Sequence, residues 1–259
     1  MKTRSFLIGK VPVGAVTRKD VTDLIEDTVR KKESGYICVS NMRTVTIANK
    51  DSAYRGVMEN SLVNTPDGRP LLWCARAWGL KDVEPVVGPE LMMATLKDGS
   101  ASLKHFFLGD TDQTLEIVCQ KCREEYGVDP AGVYSPPFAP LESYDMKGIA
   151  ERINKSGANV VWTSLRAPKQ DFLAVALLPF LKEGTVVIGV GAAFRFLTGE
   201  FKMENGLLRK MGLGGLQMVR NSNPWNEFTW HVKHGFWLIR YLVGIYWKRL
   251  ILRKKPDEA

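Results

Sequence analysis

Short apolar runs alternate with longer stretches in which apolar residues recur every three or four positions along most of this 259-residue chain. The short runs predict strands at residues 5–8, 36–39, 62–64, 104–108, 131–134, 159–164 and 186–189. Helical spacing fills the intervals at 16–31, 45–58, 70–77, 114–126, 144–155 and 170–181. Such alternation predicts an α/β fold with a doubly wound, mostly parallel sheet. After Thr198 the rhythm stops, and Gly199, Gly206, Gly212, Gly214 and Gly215 punctuate a stretch with no strand pattern. A core of residues 1–195 and a C-terminal appendage of 196–259 are therefore expected.

The appendage changes the picture through its charge. The whole chain carries +8, and from Arg220 onward there are eight Lys or Arg against three Asp or Glu. These cations interleave with Trp230, Trp237, Tyr241, Tyr246 and Trp247, a pattern suited to an anionic membrane surface. The same aromatics also suit a packed core stripe. The longest uncharged run there, residues 241–247, is far short of the roughly 20 apolar residues that span a bilayer, so residues 225–255 are expected to lie on the membrane. A nucleic-acid partner is not expected, because no recognition motif accompanies the basic tail. At the other end only residues 6–8 are apolar before Lys10, so no signal-peptide core is present and export is not expected. Cys119 and Cys122 form the one Cys-x-x-Cys pair, inside a helical stretch and without ligand-spaced histidines, which argues against zinc; Cys38 and Cys74 stand alone.

In a parallel sheet, ligands bind beyond the carboxyl ends of the strands, where helix N-termini accept phosphate. Four predicted strand-end loops carry suitable chemistry: Ser40-Asn41, Thr65-Pro66-Asp67-Gly68, Ala167-Pro168-Lys169-Gln170 and Gly189-Val190-Gly191-Ala192-Ala193. Asp67 suits a general base, although its spacing alone suits a turn residue capping the next helix better. Lys169 and Gln170 suit phosphate or sugar contacts, and equally an ordinary helix start. Gly189 and Gly191 allow close backbone approach but lack the third glycine of a dinucleotide fingerprint, so an NAD site is rejected. Asp110 and Asp112, just beyond Gly109, form an Asp-x-Asp that suits helix capping better than metal binding. His105, His231 and His234 form no catalytic trio with a nucleophile and an acid.

Several segments together resemble the bacterial WecG/TagA/CpsF glycosyltransferase family. They are Asn64-Thr65-Pro66-Asp67-Gly68-Arg69-Pro70-Leu71, Gly88-Pro89-Glu90-Leu91, Tyr134-Ser135-Pro136-Pro137-Phe138, Ala167-Pro168-Lys169-Gln170-Asp171 and Gly189-Val190-Gly191-Ala192-Ala193-Phe194. The resemblance implies a Rossmann-like core with a membrane-associating helical appendage. It implies transfer of a sugar such as N-acetylmannosamine, its uronic acid or glucose from a UDP-sugar to a polyprenyl-diphosphate-linked acceptor, in teichoic acid, common antigen, capsule or exopolysaccharide synthesis. It assigns the base to Asp67, the strand-end asparagine to Asn41 and the donor-contacting glutamine to Gln170. Gly68, Arg69, Gly109, Lys169, Gly189, Gly191, Arg195 and Arg220 complete the expected substrate contacts. Val39, Pro85 and Arg195 depart from the family pattern, as does Gly212-Leu213-Gly214-Gly215, which puts the substrate in question.

The expected enzyme is thus an inverting, metal-independent hexosyltransferase without a cofactor, peripheral at the cytoplasmic face of the inner membrane, with self-association through the tail as a secondary expectation. The alternative is a nucleotide-binding scaffold or regulator at the membrane without catalysis.

Overall fold

A computed structural model describes residues 4–201 and 224–256. Eight strands are arranged in two sheets: β1 (Ser5–Ile8) and β2 (Val11–Gly14) form a separate hairpin, and β3 (Gly35–Ser40), β4 (Val63–Pro66), β5 (His105–Gly109), β6 (Gly132–Tyr134), β7 (Val160–Ser164) and β8 (Val186–Gly189) form a parallel sheet in the order β4-β3-β8-β7-β5-β6. The helices are α1 (Arg18–Arg30), α2 (Met42–Lys50), α3 (Ser52–Glu59), α4 (Arg69–Ala77), α5 (Gly88–Asp98), α6 (Asp112–Tyr126), α7 (Met146–Ser156), α8 (Lys169–Leu177), α9 (Ala193–Leu197) and α10 (Pro224–Tyr246). This is the Rossmann-like, doubly wound architecture expected from the alternation of elements.

The central strands β3, β5, β7 and β8 are buried at every position, because helices cover both faces of the sheet. Alternation along each strand divides the core in two. Tyr36, Cys38, Phe106, Leu108, Val161 and Val187 point toward α2, α3, α4, α7 and α8. Ile37, Phe107, Trp162, Val186 and Ile188 point toward α1, α5, α6 and α9. The boundary expected at 195/196 falls inside α9, whose Phe194 and Leu197 both belong to this second core.

Two departures from the expected elements have local causes. The first strand does not join the parallel sheet; Ile8 pairs with Val11 across Gly9 and Lys10, so the chain folds straight back as a hairpin. Gly9 sits at φ +68°, and a Cβ there would collide with Asn49 Oδ1, which instead accepts from Lys10 N at 2.8 Å. The single helix expected over 45–58 is broken at Asp51, whose extended backbone ends α2 and whose carboxylate caps α3 through Ala53 N and Tyr54 N.

The C-terminal helix lies on the first core. Tyr241 and Ile245 are buried there, with Trp237, Leu238 and Leu242 partly buried beside them. On the opposite side Phe236, Ile239, Val243, Tyr246, Trp247 and Leu250 are exposed, from 49% to 65%. Core stripe and surface stripe are therefore both present, on different faces of one helix. Beyond it, Trp247–Ile251 is wound as a π-helix, and Pro256 O accepts from Leu7 N at 2.9 Å, covering the outer edge of β1. Among the described residues, no helix is long and apolar enough to cross a membrane.

Candidate functional site

The strand carboxyl ends form a row in the spatial order β4, β3, β8, β7, β5. Four of these five strands are left through a residue of positive φ: Gly68 (+90°) after β4, Gly191 (+59°) after β8, Arg166 (+60°) after β7, and Gly109 and Asp110 (+110° and +62°) at the end of β5. Left-handed residues turn the chain sharply and point successive backbone N–H groups into one concavity. At Arg166 and Asp110 the conformation costs on the order of 1 kcal/mol each, a strain that the surrounding structure has to hold.

Asp67 stands half-buried at the end of β4, tied to β3 by its own N–H donating to Ser40 O at 2.7 Å. Gly68 then opens α4 without a side-chain cap, Arg69 is the first residue of that helix, and Asp67 immediately precedes its N-cap. One strand over, Asn41 caps α2: its Oδ1 accepts from Arg43 N and Thr44 N at 3.0 and 3.2 Å, while Thr44 Oγ1 accepts from Asn41 N at 2.9 Å. This capping box uses the carbonyl end of the exposed carboxamide, and its Nδ2 donates to no partner among the described residues.

At β8, Gln170 holds the glycine turn. It is 2% exposed, and its Oε1 accepts from Gly191 N at 3.0 Å. A Cβ on Gly189 would lie 2.7 Å from Gln170 Nε2, so glycine is needed for the helix to close on the strand. Gln170 thus shapes the turn from within. The loop is also packed from the other core, since a Cβ on Gly88 would sit 2.6 Å from Val190 O, and Ser164 Oγ donates to Gly191 O at 2.6 Å. Asp67 and Gln170 belong to one face: β4 and β8 both flank β3, so their ends are about 10 Å apart.

Two expected phosphate contacts are engaged elsewhere. The Lys169 ammonium donates to Ala139 O at 2.5 Å and to Tyr144 Oη at 2.8 Å, and lies over the Tyr144 ring. It pins the segment after β6, which Ser135 also fastens through Oγ to Asp110 O and which carries the fully exposed Phe138. Replacing Lys169 by Met should cost about 1–3 kcal/mol and raise hydrogen exchange across residues 135–144, with little change in nucleotide affinity. A large loss of nucleotide affinity with unchanged exchange would instead restore Lys169 as a ligand contact. Arg195 is likewise spent: Nε and Nη2 grip both oxygens of Asp110 at 3.0 and 3.3 Å, and Nη1 meets Glu200 at 3.3 Å. The hydrogen bond to Asp110 pushes the Arg195 pKa up. Asp110 is thereby occupied as the partner of Arg195, and the cap of α6 is Thr111, not an aspartate. Arg220 lies outside the described residues.

The other titratable candidates are structural. Trp162 Nε1 donates to His105 Nδ1 at 3.1 Å, and burial pushes that imidazole down to about 4, so it is neutral at physiological pH. Cys119 and Cys122 are free residues of α6, and burial raises both thiols, the latter to about 12. One group escaped the sequence-based expectations. Asp171, next to Gln170, is buried and accepts from Tyr54 Oη at 2.6 Å. No local pattern links residues separated by that much chain.

These features define a Rossmann-like α/β protein whose candidate ligand site is a row of strand-end turns presenting the Asp67 carboxylate, amide donors and an uncapped helix start. The chain matches the model of the glycosyl transferase WecG/TagA/CpsF family over residues 6–229, and it belongs to that family. It is therefore a glycosyltransferase of cell-surface polysaccharide synthesis.

Proposed function

We propose that the chain transfers a hexosyl group from a UDP-sugar to a polyprenyl-diphosphate-linked sugar in a single inverting displacement, with Asp67 as general base. The supporting observation is the position of Asp67: half-buried at a strand end, beside Asn41 and two strands from the Gly189–Gly191 turn. Its carboxylate accepts the proton of the acceptor hydroxyl as that oxygen attacks the anomeric carbon and the bond to the UDP oxygen breaks. The departing diphosphate is met by Asn41 Nδ2 and by backbone N–H groups at Gly68, Arg69 and Gly109, donors fixed before charge develops, while Gly191, its own N–H held by Gln170, gives the diphosphate close approach to the turn. Gln170 and Gly189 set the shape of that turn. Because Lys169 and Arg195 are engaged within the protein, cationic help with the diphosphate falls to Arg220 of the appendage.

Residues 196–259 act as the membrane-associating appendage of the core formed by residues 1–195, holding the enzyme at the cytoplasmic face of the inner membrane. The exposed stripe of α10, followed by Lys248, Arg249, Arg253, Lys254 and Lys255, supports this. The same stripe suits pairing with a second copy away from lipid. The test is incubation of the full chain with a panel of UDP-sugars and a polyprenyl-diphosphate-linked acceptor in detergent and EDTA, with the product anomer read by NMR. Transfer with inverted configuration is expected. Retained configuration would exclude the single displacement, and UDP binding without transfer from any donor would favour a non-catalytic scaffold.

A further inference from the structure

The helix that starts beside Asp67 ends in a cluster of cations for which the transfer chemistry has no use. α4 closes at Ala77, and Gly79 follows at φ +87°. A Cβ on Gly79 would lie 2.7 Å from Arg249 Nη2 and 2.8 Å from its Cζ, so glycine leaves the room that this guanidinium occupies. Arg249 comes from the π-wound segment and donates from Nη1 to Ala77 O at 2.8 Å, its charge set against the negative end of the α4 dipole. Arg76 and Lys81 join it around a cleft of about 490 Å³ whose described lining residues are Arg76, Gly79, Lys81 and Arg249, none of them a carboxylate. Neither Arg76 nor Lys81 forms an ion pair with any described residue.

Three cations gathered without an ion-pair partner among the described residues repel one another and favour an anion among them, and guanidinium forks match phosphate oxygens. The apolar residues next to these cations in the chain decide which anion. Trp247, Leu250 and Ile251 flank Arg249 in the chain at 59%, 63% and 59% exposure, and Trp73 stands exposed one turn before Arg76. A free phosphate leaves these exposed side chains in water, whereas a phospholipid brings its glycerol and acyl chains with its phosphate.

We propose that this cleft binds the phosphate of an anionic phospholipid headgroup and thereby fastens α4 and the C-terminal segment together onto the bilayer. The inference rests on the peripheral membrane association proposed above and adds a specific site to it. Because α4 has nine residues, the site stands about 13 Å from the Asp67 end of the same helix, which would set the height of the catalytic face relative to the lipid phosphates.

The test is co-sedimentation of the full chain with phosphatidylcholine vesicles, with and without phosphatidylglycerol. Arg76→Gln with Lys81→Gln should weaken binding to the phosphatidylglycerol vesicles about 30-fold, at about fivefold per basic residue near an anionic surface. Lys97→Gln with Lys104→Gln, which removes the same charge elsewhere, should lose less than about threefold. Gly79→Ala removes no charge but displaces Arg249, and should lose about fivefold. Equal losses in the two double variants, or an unchanged Gly79→Ala, would reduce the effect to general surface charge and overturn the site. Inorganic phosphate that raises the melting temperature of the parent chain but not of the Arg76→Gln, Lys81→Gln variant, with vesicle binding alike in both, would make it a free-anion site and overturn the lipid assignment. If the parent chain sediments with no vesicle although UDP stabilises it, the membrane association itself fails, and the cleft proposal with it, while sugar transfer stands.

Discussion

Replacing Asp67 with Asn is expected to lower kcat for sugar transfer by about 10²–10⁴-fold while leaving the melting temperature and the affinity for UDP close to those of the parent chain. The expected separation follows from what Asp67 does in each role. Structurally its backbone N–H donates to Ser40 O, a bond any residue supplies, and the isosteric Asn side chain keeps the shape and an acceptor oxygen for the other contacts Asp67 makes within the protein. Chemically it offers a carboxylate, and a carboxamide of the same shape accepts no proton. A variant that retains transfer would refute the general-base assignment. One that loses UDP affinity in step with kcat would show that the side chain organises the strand-end row instead of accepting a proton.

Stability is expected to fall as pH rises from about 4 to about 7, and Asp171→Asn should remove most of that dependence. Burial raises the Asp171 carboxyl from its ordinary 3.8 to about 7, against the opposing hydrogen bond from Tyr54 Oη. The groups packed around it are Tyr54 of α3, Cys38 and Tyr36 of β3, and Gln170 of its own helix. The sign follows directly. Between the two values the unfolded chain has released this proton and the folded chain still holds it, so the folded state binds more protons and loses stability as pH increases. The contribution is fully present below about 4 and gone above about 7, on the order of 4 kcal/mol across the window. The carboxamide of the variant keeps an acceptor for Tyr54 Oη without the titration. Urea midpoints of the two chains at three pH values across this range should lie closest at low pH and separate as pH rises, the parent chain falling while the variant stays level. Parallel curves would mean that Asp171 ionises normally.

The parallel sheet was legible in the sequence because β3, β5, β7 and β8 are covered on both faces and therefore read as unbroken apolar runs. The strand-end position of the candidate site residues was legible for a related reason: the alternation of elements marks where each strand ends, and Asn41, Asp67, Gly189 and Gly191 stand there. The hairpin of β1 and β2 was not, since a four-residue apolar run looks the same whether its partner is parallel or antiparallel.

What the sequence determined by itself was therefore periodicity, and through it the fold class, the strand-end loops and the amphipathic, basic C-terminus. Side-chain destinations belonged to the tertiary structure. Lys169 and Arg195 have the composition of phosphate contacts, yet Ala139 O, Tyr144 and Asp110 hold them. Gln170 looks like an exposed donor at a helix start and is a buried brace for Gly191. Asp171 meets Tyr54, and Arg249 meets Ala77 and Gly79, only because distant segments are folded onto one another. Local spacing carries the backbone path because hydrophobic burial acts on each segment's own pattern, whereas the partner of a charged group is chosen by three-dimensional proximity, which spacing along the chain does not encode.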